Sequence, residues 1–175
     1  MEMHRETQGS IARWRYDTFG PIASMFSLIV RTKSEAHELL VEVDKCAPRC
    51  SDGVLDELAD VAICLYCVAT QAGGRFDESA EGLDALFRME MNPINLVVDV
   101  DTNLSHALRR SAFVPRGSKG IMRDITFAMA ALRLIASLYG KDLNALVDAK
   151  MAVNRKREWR PDGRGHGQHV DGGSE

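Results

Sequence analysis

The chain is predicted to fold as an all-α protein, on three observations. Ala, Leu, Met and Glu are plentiful and only five prolines occur, a composition that favours helix. Apolar residues recur at helical spacing in several long segments. Displacing the sequence by 67 positions also sets residues 48–73 on 115–140 without a gap, which points to a duplicated helical unit. In that alignment Pro48, Arg49, Ser51, Gly53, Leu65, Ala69 and Gly73 meet Pro115, Arg116, Ser118, Gly120, Leu132, Ala136 and Gly140.

Taken in order, residues 1–20 read as a polar lead-in anchored by Ile11, Trp14, Tyr16 and Phe19. Gly20-Pro21 is a breaker followed by a helix-compatible first position. The pattern is helical over 22–45, with an expected break near 31–33. Residues 48–53 form a loop, and a helix over 54–72 stops at the glycine signal Gly73-Gly74. A helix over 77–91 is closed by Asn92-Pro93. The β-branched run 94–100 reads as an extended connector, because a single strand would lack a partner. A short helix near 103–110 precedes a long apolar helix over 121–139 that ends at Gly140, and a last helix spans 143–159. The Gly-rich stretch 161–175 is expected to be a disordered tail whose His166 and His169 have no role. Residues 1–160 therefore form one domain, with units of about 21–92 and 100–159.

With 175 residues, 45% of them apolar, the chain can bury a sizeable core. Its net charge of −3 and pI of about 6.0 argue against coating a nucleic-acid polymer. A nucleotide substrate stays open, because a metal can supply positive charge. No apolar run is long enough to span a bilayer, and the N-terminus is too polar for a secretory signal. Cys46 and Cys50 precede the apolar helix, and Cys64 lies roughly 16 Å along it at 1.5 Å per residue. That separation does not suit a single zinc. Reduced thiols in a cytoplasmic protein are expected.

Glu35-Ala-His-Glu38 and Glu57-Leu-Ala-Asp60 are acidic pairs at i, i+3, separated by eighteen residues. On helices each pair projects from one face. Asp60 is the one charged residue in the run 58–69, and a carboxylate buried there is costly without a compensating cation. Two readings fit. Four carboxylates on facing helices suit Mg²⁺, which prefers oxygen ligands. Alternatively, Glu35 and Glu38 form a solvated face and Asp60 pairs with an Arg. Glu42 continues the acidic stripe, as a spare ligand or as a group that supports the ligands. Lys150, Asn154 and Arg157 fall at i, i+4 and i+7, which makes either a phosphate-binding face or a solvated helix end. Trp14 and Trp159 are candidates for stacking on a base or for packing. In the repeat, Asp60 meets Phe127 and Glu57 meets Asp124, so the second unit keeps its packing role and Asp124 is a remnant contributor.

Glu35-x-x-Glu38, Glu57-Leu-Ala-Asp60-Val and Lys150-Met-Ala-Val-Asn154-Arg-Lys-Arg157-Glu-Trp159, with Trp14 and Thr18-Phe19-Gly20, resemble the MazG-like all-α nucleoside triphosphate pyrophosphohydrolases. The resemblance covers about 13–159. It implies a MazG-like helical bundle, here with a degenerate second unit, that hydrolyses a nucleoside triphosphate to the monophosphate and pyrophosphate. It implies Glu35, Glu38, Glu57 and Asp60 as ligands of Mg²⁺, with Mn²⁺ as a substitute. Glu38, by preference over Glu35, would act on the attacking water, and Lys150, Asn154, Arg157 and Trp14 would bind substrate. It also implies a homo-oligomer, a dimer or tetramer, that binds neither membrane nor nucleic-acid polymer.

The stretch 75–140 is longer than in single-unit members, and the two-unit plan is similar to that of dimeric-type dUTPases. Small phage members of the MazZ type turn dGTP into dGMP, so dGTP or GTP, dUTP and dCTP all stand as substrates, in a host cytoplasm if the chain is phage-encoded. Two other classes compete. A ferritin-like di-iron bundle needs Glu-x-x-His, and Ser34 and Asn103 stand three before His37 and His106. A helical interaction module would leave Asp60 unexplained.

Overall fold

In the computed structural model, residues 5–22, 24–47, 49–76, 92–112, 119–163 and 167–170 are described. Their architecture is all-helical apart from one short hairpin. Helix α1 (Gln8–Phe19) lies where a lead-in was expected. Its first turn is fixed by a reciprocal cap, in which the Thr7 N–H donates to Ser10 Oγ at 2.8 Å and the Ser10 N–H to Thr7 Oγ1 at 3.1 Å. Gly20 ends it with φ 76°, a conformation that favours glycine. Just before it, the Glu6 carboxylate takes two hydrogen bonds from Arg155, at 2.8 and 3.0 Å, which ties this end of the chain to the end of the last helix.

Helix α2 (Met25–Cys46) runs without the break expected near 31–33. Thr32 is fully buried and its hydroxyl donates to the Leu28 carbonyl within the same helix, so the polar group is satisfied without bending the chain away. One stripe is buried: Leu28, Ile29, Thr32, Glu35, Ala36, Leu39 and Val43. Helix α3 (Asp52–Gln71) is capped by Ser51 and is apolar on nearly all sides. It needs partners all round and finds them in α1, α2, α5 and α6. Fully buried leucines such as Leu58 and Leu65 carry this core, and truncating either to Ala costs about 2–5 kcal/mol.

Helix α4 (Pro93–Ser111) replaces both the extended connector and the short helix expected there. Asn92 and Pro93 begin this helix: the Asn92 side chain accepts the Ile94 N–H at 2.9 Å and Pro93 takes the first turn, where a missing N–H does no harm. Leu96, Val97, Val100, Leu104 and Ala107 then form its buried stripe. Helix α5 (Lys119–Leu138) packs on α4 and α3, and α4 on α2, so two helix pairs face each other. The displacement of 67 residues carries the bounds of α3 onto those of α5. The glycines after the two helices, Gly73 and Gly140, share left-handed φ values of 74° and 67°.

Helix α6 (Leu143–Asn154) packs on α3 and α5 and stops five residues short of its expected end. The chain then turns into β1 (Trp159–Pro161), which pairs antiparallel with β2 (Gly167–His169). Part of the stretch expected to be disordered is thus an ordered hairpin. The helix expected at 77–91 and His166 lie outside the described residues. Among the described residues, no helix is long and apolar enough to cross a membrane.

Candidate functional site

Helices α2 and α3 bring Glu35, Glu57 and Asp60 together, with one oxygen from each carboxylate within 4.8 Å of the others. Glu35 sits on the buried stripe of α2 and is the most enclosed of the three, at 5% exposure. The Asp60 side chain is a quarter exposed, so the acid expected to be buried is only partly enclosed. Glu38 is exposed. It lines the same cavity but stands outside the three-carboxylate cluster, at its rim. Four converging ligands were expected, and three converge. On α2, Glu38 lies 300° round from Glu35, far enough to bring it to the surface beside the helix contact.

Cations meet these acids. Arg31, one turn before Glu35, forms an ion pair with it. Lys150 of α6 stands 2.7 Å from Asp60 Oδ2 and 3.4 Å from Asp56 Oδ2. Burial first, then Asp60 and Glu38, push the Glu35 carboxyl up to about 7 even though Arg31 and Lys150 oppose the rise. Burial, followed by Asp60, Glu35 and Glu38, does the same to Glu57, also to about 7. Burial raises Asp60 as well, against the pull of Lys150. For Lys150, burial acts to lower the pKa, but hydrogen bonding and charge from Asp60 and Asp56 outweigh it and leave the ammonium above its ordinary value.

The cluster opens into a cavity of about 500 Å³ that Lys150, Asn154, Arg157 and Trp159 also line. Arg157 reaches it from the turn after α6, not from the helical face expected at i+7. Its Nη1 donates to Asn154 Oδ1 at 3.4 Å, and Asn154 is buried. A smaller recess of about 90 Å³ adjoins, walled by Trp14, Leu28, Ile63, Cys64, Cys67 and Trp159, with Glu35 and Asp60 at its edge. Trp14, Phe19 and Trp159 meet edge to face with centroids 5.2–5.9 Å apart. Both tryptophans therefore pack as anchors and also line the recess. Gly167 of β2 closes the wall: a Cβ there would lie 2.6 Å from the Arg160 carbonyl oxygen and 2.7 Å from the Phe19 ring.

Other expectations are corrected. Glu42 pairs with Lys45 at 2.7 Å, and its carboxylate abuts Gly53 in the first turn of α3, away from the cluster. Acidic charge near a helix N-terminus is favourable there. Asp124, the counterpart of Glu57, is buried against Arg110 at 2.7 Å, so a protein cation neutralises it outside the cavity. Burial pushes the Cys67 thiol up to about 12 and holds Cys64 well above its ordinary value, which makes both poor nucleophiles and poor metal ligands at neutral pH. Sequence reasoning missed Arg31, Asp56 and the hairpin wall. The i, i+4 spacing of Arg31 to Glu35 and of Asp56 to Asp60 was the available signal.

The donor set of the cluster is all oxygen, and Glu57 Oε2 is buried with no hydrogen-bond partner among the described residues. Both features fit a hard divalent cation. Comparison of the chain with protein-family models, with curated proteins and with solved structures finds no match.

Proposed function

We propose that this chain is a Mg²⁺-dependent nucleoside triphosphate pyrophosphohydrolase of the MazG-like type, with Mn²⁺ able to substitute. The observation that carries this reading is the convergence of three carboxylates from two helices within 4.8 Å, in a cavity that also holds Lys150 and Arg157. Acid for a cation and base for a polyphosphate stand side by side. The aromatic-walled recess next to them suits a planar base or a sugar.

Glu35, Glu57 and Asp60 hold the cation, which when bound neutralises phosphate charge and makes a bound water more acidic. Lys150 and Arg157 clamp phosphate oxygens, and Asn154 orients Arg157 through its side-chain carbonyl. Glu38, exposed at the rim, orients the attacking water and takes its proton. Glu35, one turn before Glu38 on α2 and lining the same cavity, is the second candidate for that role. The water oxygen bonds to phosphorus as the bridge between the α- and β-phosphates breaks, giving the monophosphate and pyrophosphate. The substrates in view are dGTP or GTP, and dUTP or dCTP.

A second reading has one observation in its favour. The ion pairs Arg31–Glu35 and Lys150–Asp60 also neutralise these acids as they would in a purely structural network. Pyrophosphate release from a panel of ribo- and deoxynucleoside triphosphates with Mg²⁺ separates the two. The enzyme reading requires turnover of at least one of them and its loss in Asp60→Ala. No turnover of any, or undiminished turnover in the variant, leaves the structural network.

A further inference from the structure

Lys150 has two carboxylates to choose between. Its ammonium is 2.7 Å from Asp60 and 3.4 Å from Asp56. Its side chain is 11% exposed, so the stem is fixed between α6 and α3 and only the head can move. Asp56 and Asp60 are one turn apart on α3, on one face. They differ in setting. Asp60 belongs to the acidic cluster, whereas Asp56 is 68% exposed and outside it.

We infer that Asp56 is a positioning residue that receives Lys150 when a divalent cation takes Asp60, and so keeps the ammonium at the mouth of the cavity facing a polyphosphate. This rests on the reading of Glu35, Glu57 and Asp60 as the cation's holders. Like charges this close repel strongly where water is scarce, so the ammonium and the cation cannot share Asp60. The nearest anion along the same helix face is Asp56, and it is already within 3.4 Å. Because Asp56 is solvated, its hold on Lys150 is weak enough for a phosphate to compete. Without Asp56, the enclosed Lys150 remains on Asp60 and opposes the metal.

The test uses the full chain without nucleotide and measures Mn²⁺ affinity by titration calorimetry. The variants are Asp56→Asn, Asp56→Glu, Lys150→Met and the double variant Asp56→Asn/Lys150→Met, with Lys150→Gln as a second truncation if the Met variant folds poorly. Lys150→Met should bind Mn²⁺ more tightly than wild type, and Asp56→Asn about fivefold more weakly, within the usual range of coupling between neighbouring groups. In the Lys150→Met background, Asp56→Asn should change nothing, and with Lys150 in place Asp56→Glu should keep wild-type affinity. In turnover, Asp56→Asn should raise KM for the triphosphate more than it lowers kcat. An equal Asp56→Asn effect in both backgrounds would show a mere surface charge and overturn the inference, as would no effect in wild type. If wild type binds no Mn²⁺ at all, the metal reading itself falls and takes this inference with it.

Discussion

Replacing Glu57 by Gln should stabilise the cation-free protein at pH 8 and abolish its stabilisation by Mg²⁺. Burial and the neighbouring acids push the Glu57 carboxyl from 4.5 to about 7. A folded-state value above the unfolded one means that the native state holds its proton longer. No penalty exists below about pH 4.5, the penalty grows between 4.5 and 7, and it is complete above 7. That interval of roughly 2.5 pH, at ~1.4 kcal/mol each, sets a ceiling of about 3.5 kcal/mol. Water reaches one side of this half-buried group, so screening brings the figure to about 1–2 kcal/mol. For a chain of this length that is a rise in Tm of about 3–8 °C at pH 8 and almost none at pH 4. Glu35, pushed to about 7 by the same causes, makes wild type follow the same trend, with Tm falling as pH rises from 4.5 to 7 in EDTA. Saturating Mg²⁺ should return about 2–3 kcal/mol to wild type at pH 8 and nothing to the variant. Thermal melts at pH 4, 6 and 8, with EDTA or with Mg²⁺, read all of this. A variant that melts below wild type at pH 8 in EDTA, or by the same margin at every pH, would refute the assignment of strain to crowded, buried negative charge.

Three further outcomes are expected. Asp124→Ala should leave pyrophosphate release within about twofold of wild type but lower Tm, because it removes the buried partner of Arg110 at a cost of about 1–3 kcal/mol; an activity loss equal to that of Glu57→Ala would mean that both units build sites. Gly167→Ala should push the hairpin off Phe19, alter Trp159 fluorescence and reduce turnover, while the far-ultraviolet helix signal stays unchanged. A thiol reagent applied to the native protein should label exposed Cys50 first and buried Cys67 only on unfolding, a sequence of events readable by mass spectrometry.

Some of this was legible in the chain and some was not. Residues 94–100 carry Ile94, Val97, Val98 and Val100, and local β-branching suggests extension there. The repeat held the better answer, since the displacement of 67 lays α2 along α4, and an N-cap Asn followed by Pro opens helices as well as ending them. Polar residues 8–19 hid α1 because only Ile11 and Arg15 on that helix are buried, too few to show a stripe. The hairpin was hidden for a related reason: its strands are three residues long and gain their place from the aromatic ring cluster beneath them.

By itself, the sequence determined the all-helical class, the i, i+3 acidic pairs, the glycine stops and the correspondence of α3 with α5, because each depends on backbone propensity or on spacing along one helix. Only the tertiary structure decided that Glu35 is the enclosed acid, that Glu38 stays at the rim, that Asp124 is closed off by Arg110, and that Lys150 rather than an Arg meets Asp60. Burial and charge pairing are properties of two surfaces in contact. Helical spacing fixes which side chains share a face, whereas the neighbour packed against that face sets their solvation and their counter-charge.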